Sequence, residues 1–239
     1  MNLRKDVRHD MLDNYYFDGG NLLRSIYRVA QRFRGVPPNT LAANLKKWTG
    51  YDWSKSGEEW TVSPAWKDSV IREILEPNIP VGSSVLEIGP GGGRWTEHLL
   101  PRANSLVVVD LTPECIRLCQ ERFGSGSKIK YFVNDGRDLS FIPDMSLDRI
   151  WSFDVFVHIQ RDDIEKYVSQ FPRILSHGGV AVIHHAAHGT QQEGWRSDMT
   201  TGEMRHIAHS CGLSVVQQFS CWKGGHFNLG DVITILANS

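Results

Sequence analysis

An α/β fold on a mostly parallel sheet, ending in an antiparallel hairpin, is what the pattern of this 239-residue chain predicts. Two observations carry the prediction. From Ser63 onward, short β-branched runs alternate with helical stretches, and strand–helix repetition gives parallel strands covered on both faces. The last two apolar runs, "LSVVQQFSCW" and "DVITILAN", are joined by "KGGHFNLG" with no helix between them, so they pair antiparallel at the sheet edge.

Each element has a local justification. Residues 1–60 read as an N-terminal helical extension or lid, and 61–239 as the main domain. In "NLLRSIYRVAQRFR" (21–34) the apolar positions keep helical spacing, while Arg24, Arg28 and Arg32 form a stripe on another face. "GVPPNT" then breaks the helix. "YDWSKSGEEWTVS" is polar, aromatic and irregular. "SPAWKDSVIREILEP" is a helix with Ser63 as N-cap and Pro64 at its first position, ending at Pro77. The strands that follow are "SVLEI", "SLVVVD", "IKYFVND", "DRIWSF" and "GVAVIHHA", with helices near 94–100, 113–123 and 161–175.

Bulk properties exclude several classes. Lys and Arg number 26 against 27 Asp and Glu, so nothing global attracts nucleic acid or an anionic membrane. No apolar run reaches the ~18 residues of a membrane span, and the start lacks the apolar core of a signal peptide. The four cysteines form no CxxC pair, and Cys115 and Cys119 read as buried small apolar residues. A reduced, cytoplasmic protein is expected.

The chemistry starts at "VLEIGPGGGRW" (85–95), where a strand runs into four glycines. In an open α/β sheet, ligands bind beyond the carboxyl ends of the strands. A dinucleotide fingerprint needs a third small residue where Arg94 stands, which argues against an NAD(P)-dependent oxidoreductase. The spacing is instead E-x-G-x-G-x-G through Glu87, Gly89, Gly91 and Gly93. A carboxylate at Glu87 would repel a pyrophosphate and favour an ammonium group. Asp110, 21 residues after Gly89, ends the second strand where an acid can accept bonds from two ribose hydroxyls. Leu111 can lie against a flat base, and Asp135 can accept from an exocyclic amine. Ribose, adenine amine and amino-acid ammonium together describe S-adenosylmethionine.

From about residue 63 to the end, the chain resembles a class I S-adenosylmethionine-dependent methyltransferase. The resemblance rests on "LEIGPGGG", "VVVDLTPE", "VNDGRDL", "DRIWSFDVFVHI" and "FPRILSHGGVAVI". It implies a Rossmann-like seven-stranded sheet whose last hairpin is inserted, and S-adenosyl-L-methionine as cofactor. "YDWSKSGEEWTVSPAWK" also looks like an extension of bacterial methyltransferases acting on sugars or other small metabolites. By the resemblance, Glu87, Gly89, Gly91 and Gly93 surround the methionine end, and Asp110 holds the ribose. Leu111, Asp135 and Gly136 meet the adenine, and Phe153 and Asp154 stand near the methyl group. Where many relatives carry two histidines, this chain has Val157-His158, so His158 with Asp154 is expected to do the acid–base work. The Asn/Asp-Pro-Pro-aromatic signature of amino-methyltransferases on DNA or protein glutamine is absent, with "SFDVF" in its place.

The remaining candidates are histidines and tryptophans. His184, His185 and His188 end the fifth strand, and with His226 in the last loop they are expected to line the substrate pocket. "HHAAH" matches no standard zinc spacing, and neighbouring strand residues face opposite sides, so no metal is expected. His206 and His209 are taken as structural, and Trp66 and Trp151 as core. Trp95 follows the glycine loop, and Trp53 and Trp60 belong to the extension, so Trp95 and Trp60 are expected against the cofactor. The extension reads as a water-excluding lid, with a homodimerisation arm as the alternative. The expected reaction is methyl transfer to a hydroxyl, or an amine, of a small polar metabolite such as a saccharide. An N-methyltransferase and a non-catalytic S-adenosylmethionine binder are the alternatives. Nucleic acid is not an expected partner, because no strongly basic patch calls for it.

Overall fold

The computed structural model describes residues 39–187, 196–227 and 230–238. The helix expected over 21–34, with its arginine stripe, and His188 lie outside those residues. Helix α1 (Leu41–Thr49) opens on Thr40, whose hydroxyl accepts from the Ala43 amide at 3.3 Å. A single 3₁₀ turn, Glu58–Trp60, follows.

Helix α2 is built from Pro64–Val70, a π-helical turn Ile71–Leu75 and a last turn Glu76–Asn78. Ser63 caps it as expected, accepting from the Trp66 amide at 3.1 Å. The helix does not stop at Pro77. A proline ring clashes with the carbonyl four residues back, and the wider π turn just before it makes room.

Seven strands form the main sheet: β1 (Ser83–Ile88), β2 (Ala103–Asp110), β3 (Ile129–Val133), β4 (Leu147–Ser152), β5 (Leu175–Ala186), β6 (Leu213–Phe219) and β9 (Asp231–Asn238). Their order across the sheet is β3-β2-β1-β4-β5-β9-β6. The first five run parallel, while β9 lies between β5 and β6 and is antiparallel to both. The C-terminal hairpin therefore enters the sheet by its second strand and leaves β6 on the edge. Its connection carries a two-residue ladder, β7 (Cys221–Trp222) with β8 (Gly225–His226). That ladder docks on α2 through Trp222 Nε1 to Ser69 Oγ (2.8 Å) and Trp66 Nε1 to the His226 carbonyl (3.3 Å).

Helices α3 (Thr96–Arg102), α4 (Pro113–Phe123), α5 (Arg161–Val168), α6 (Phe171–Ile174) and α7 (Thr201–Ser210) complete the layers. The single helix expected over 161–175 is thus two short ones. Strand β5 begins earlier than "GVAVI" suggests, and its register against β4 slips beside Gly178, whose φ is +73°.

Period-two alternation sorts the sheet residues into two core layers. Leu86, Ile150 and Ile183 pack with α5 and α7, while Val85, Trp151 and Val182 pack with Trp66, Ile74 and Leu99. Trp66 and Trp151 are core, as expected, and Cys115 and Cys119 are buried free thiols. The strand order reverses between β1 and β4, and the chain leaves both at their carboxyl ends beside each other. That is where a doubly wound sheet opens a crevice.

Candidate active site

The glycine loop after β1 is shaped by close approach. Gly89 and Gly91 have φ of +73° and +56°, in the left-handed region that glycine enters without steric cost. A Cβ on Gly89 would lie 2.4 Å from the Val155 side chain, and one on Gly91 2.5 Å from the Trp53 ring. Asp110, at the end of β2, faces this loop. Its Oδ1 accepts from the Thr112 amide and hydroxyl at 2.8 and 2.9 Å, and its Oδ2 meets the Gly91 amide at 3.4 Å. Burial pushes the Asp110 carboxyl up to about 6, against the pull of these donors.

A cavity of about 460 Å³ lies over the loop. One end is walled by Gly89, Gly91, Asp110, Leu111 and Gly136, the other by Phe153, Asp154, His158, His184, Arg196 and Asp231. Leu41, Asn44, Lys47 and Trp48 of α1 lie along it, followed by Tyr51, Trp53 and Trp60. Those four rings pack together with centroids 4.9–6.0 Å apart. Two asparagines fasten α1 to the far end: Asn39 Nδ2 donates to the Arg196 carbonyl (2.8 Å) and Asn44 Nδ2 to the His158 carbonyl (2.9 Å). Burial, and then the Arg196 charge, pull Lys47 down to about 8.

The far end holds a row of alternating charges. Arg94 pairs with Asp154 Oδ2, and Asp154 Oδ1 lies 3.0 Å from His184 Nδ1. His184 Nε2 is 3.6 Å from Asp231 Oδ2, which pairs with Arg196 at 3.0 Å. Burial alone would raise the Asp154 carboxyl, but Arg94 and His184 outweigh it and hold the group well below the usual carboxylate range. His184 is clamped between the rings of Phe153 and Phe227, with centroids at 4.5 and 4.2 Å. Arg94 Nη1 is buried without a hydrogen-bond partner.

The structure brings most of the expected residues to this cavity, but not all. Trp60, Trp95, Phe153, His158 and His226 line it with the residues named above. Glu87 does not: it is buried behind the loop, accepting from Thr96 Oγ1 at 2.6 Å, and burial lifts its carboxyl to about 8. Gly93 packs toward the Phe123 ring instead of the cavity. Asp135 is exposed, with Oδ1 accepting from the amides of Arg137 and Asp138 at 2.9 and 2.8 Å. His185, expected in the substrate pocket, faces the other side of the sheet, where Nε2 meets Thr234 Oγ1 at 2.7 Å and Nδ1 the Ala186 carbonyl at 2.6 Å. Burial pulls it down to about 4. Strand alternation alone separates it from His184.

Sequence reasoning missed Arg196, Asp231, Lys47 and Phe227 as wall residues, and it treated Arg94 only as a departure from the dinucleotide pattern. One signal was available: Asp231 is an acid opening an otherwise apolar strand, and it is 2% exposed. Among the described residues, no group of three or more His, Cys, Asp or Glu is placed to hold a metal ion.

A methyltransferase-domain family model matches residues 85–179, the stretch from β1 to the start of β5. Those residues form a methyltransferase domain. S-adenosylmethionine is accordingly the cofactor for which its glycine loop and Asp110 are read. The N-methyltransferase NodS from Bradyrhizobium japonicum, solved with S-adenosyl-L-homocysteine, shares the fold. Its TM-score is 0.66 at 20% identity, over 83% of this chain and 98% of that one. A ribosomal RNA small subunit methyltransferase A from Synechococcus sp. is 31% identical over 86 residues, 36% of this chain and 31% of that protein. Phosphoethanolamine N-methyltransferase 1 of Triticum aestivum is 25% identical over 138 residues, 53% of this chain and 28% of that protein. The chain thus spans about a third of the length of these curated relatives.

The site fits the cofactor on its own terms. It offers a glycine loop open to the cavity at Gly89 and Gly91, a buried acid at Asp110 beside an apolar Leu111, and charged groups on the wall of the same cavity.

Proposed function

We propose that this protein transfers a methyl group from S-adenosylmethionine to a hydroxyl or amine of a small polar metabolite, with saccharides as the first class to test. One observation carries the reading. A single cavity joins the glycine loop and Asp110 to a wall of polar and charged side chains, under a cover of aromatic rings. Its volume of about 460 Å³ falls in the small-ligand range.

In this reading Gly89, Gly91, Asp110, Leu111 and Gly136 hold the nucleoside, with Trp95 and Trp60 flanking. When bound, the cofactor supplies an electrophilic methyl group on a sulfonium, whose sulfur leaves as a neutral thioether. The protein's task is then alignment, exclusion of water and removal of the acceptor's proton. Asp154, His158 and His184 are the acid–base groups on the wall. Residues 39–62 serve as a lid: α1 is tied to the acceptor end through Asn39 and Asn44, and Trp53 rests on Gly91. No helix among the described residues is long and apolar enough to cross a membrane, and a cytoplasmic location is part of the proposal.

The test incubates the full chain with S-adenosylmethionine and a panel of monosaccharides, sugar acids, hydroxy acids and amines. Release of S-adenosylhomocysteine and a methylated product are followed by mass spectrometry. Turnover with a small acceptor supports the proposal. Binding of S-adenosylhomocysteine with no turnover on the panel, together with salt-sensitive RNA binding, would replace the small acceptor by RNA.

A further inference from the structure

We propose that the acceptor is an acid, whose carboxylate or phosphate group is held in the cavity by Lys47 of α1 together with Arg196. The proposal deepens the methyl-transfer reading above and rests on it.

The argument begins with the phase of one helix. Leu41, Asn44 and Lys47 recur at every third position of α1, and Trp48 follows Asn44 by four. Such spacings share one helix face, and all four residues line the cavity. Lys46, one position earlier, is turned outward and exposed. A lysine on a surface helix ordinarily carries its ammonium out into water. Lys47 is kept in. Asn44 Nδ2 fixes the helix by its bond to the His158 carbonyl at 2.9 Å, and Lys47 Nζ stands 4.6 Å from the centroid of the Trp48 ring.

The second cation is brought in by the residue that opens the described chain. Asn39 Nδ2 donates to the Arg196 carbonyl at 2.8 Å, tying the start of α1 to the segment before α7. Arg196 and Lys47 thus face one cavity from separate elements. Their charges are close enough to act on each other, for Arg196 adds to burial in pulling Lys47 below its ordinary range. Like charges repel more strongly inside a protein than in water, so gathering them is a cost.

An anion offsets that cost, and the charges on the wall leave room for one. Among the described residues lining this end, Lys47, Arg94 and Arg196 face two carboxylates, Asp154 and Asp231. The lining therefore carries one more positive charge than negative, which draws an acidic ligand into the cleft. Arg196 meets Asp231 through Nη2 at 3.0 Å, and a guanidinium has five N–H donors, so this pair does not exhaust it. Arginine and lysine are the side chains that bind carboxylate and phosphate oxygens most strongly. A neutral sugar would fill the same space and leave the repulsion in place.

The test reads Lys47 directly and needs no turnover. Lysine-selective ¹³C-labelled protein, saturated with S-adenosylhomocysteine, is titrated with acetate or inorganic phosphate against chloride at equal ionic strength. Lys46 and Lys47 are assigned with Lys46→Arg and Lys47→Arg, so the exposed neighbour is the internal control. A saturable shift at Lys47 with none at Lys46 is expected, and the stronger of the two anions identifies the acidic group. Equal responses at the two lysines overturn the proposal. So does a Lys47 that responds to anions only until S-adenosylhomocysteine is added, since it then holds the cofactor's own carboxylate. In kinetics on a panel acid that turns over, Lys47→Met should raise KM about 10–100-fold and leave S-adenosylhomocysteine affinity within about twofold. The uncharged amide of that acid should be used poorly by the wild type and be insensitive to the substitution. A neutral acceptor turned over better than every acid on the panel also overturns the proposal. Failure of the wild type to bind S-adenosylhomocysteine would instead fall on the methyl-transfer reading, while the anion titration of the free protein still tests the Lys47–Arg196 site.

Discussion

Replacing Arg94 with methionine keeps the volume of the side chain and removes its charge, leaving Asp154 buried beside His184. The Arg94 side chain is 4% exposed and that of Asp154 23%, so this is an interior pair with one partly wetted member. Breaking a buried pair by deleting one partner costs roughly 3–5 kcal/mol, mostly because the remaining charge is stranded. His184 still faces Asp154 Oδ1, and the carboxylate is not fully dry, so the lower end applies: about 3 kcal/mol. For a chain of this size that is a fall in Tm of about 6–12 °C. The pH dependence has a definite sign. In the wild type the Asp154 carboxyl is held below its ordinary range, so its stabilisation is present above the unfolded pKa and disappears only as pH falls through the still lower folded value. In Arg94→Met burial prevails and the carboxyl moves up, so the deficit is full at pH 7 and shrinks as acid neutralises the group. Urea denaturation of wild type, Arg94→Met, Asp154→Asn and the double variant at pH 5.5 and 7.5 measures this. The double variant should be less destabilised than the sum of the singles. A cost below about 1 kcal/mol at pH 7.5, as for an exposed pair, or simple additivity would refute the reasoning.

Three further outcomes are expected. Asp110→Asn should weaken S-adenosylhomocysteine binding by about 1.5–3 kcal/mol in calorimetry. Wild-type affinity should also fall as pH drops through about 6, while the variant's stays flat. Glu87, lifted to about 8 by burial, contributes stability that is full below its unfolded pKa and lost as pH rises through about 8. Glu87→Gln should therefore flatten the decline in urea midpoint between pH 5 and 9. If residues 39–62 close over the cofactor, saturating S-adenosylhomocysteine should slow tryptic cleavage after exposed Lys55; an unchanged rate would argue against a lid.

The fold was legible because its signals are local. Ser63 and Pro64 announce α2, β-branched runs mark each parallel strand, and the missing helix between the last two runs betrays the hairpin. What was not legible depends on distant neighbours. Nothing within "REILEPN" says that the helix will widen before Pro77, and the end at Asn78 lies only one residue beyond the expected one. Asp135 reads as an adenine acid by its place after β3, yet its own turn takes up one oxygen through two backbone amides. Glu87 reads as a ligand acid by its place before the glycines. Period two turns it behind the loop onto Thr96, on a helix that follows it in sequence.

The charged row shows why a site can be harder to read than the fold that holds it. Arg94 follows the glycine loop, Asp154 follows β4, His184 ends β5, Arg196 precedes α7 and Asp231 opens β9. No two of them share an element or a spacing, so no periodicity or motif links them. Only the placement of β9 beside β5 brings Asp231 opposite Ala186 and within reach of His184. Had β6 taken the inner position, as a simple up-and-down continuation would have it, Asp231 would lie a strand farther from His184. Arg196 would then lose the acid it pairs with. The inserted last strand is thus more than a topological peculiarity. It sets the second carboxylate beside the imidazole and gives β5 a neighbour whose Thr234 occupies His185, leaving His184 alone to face the cavity.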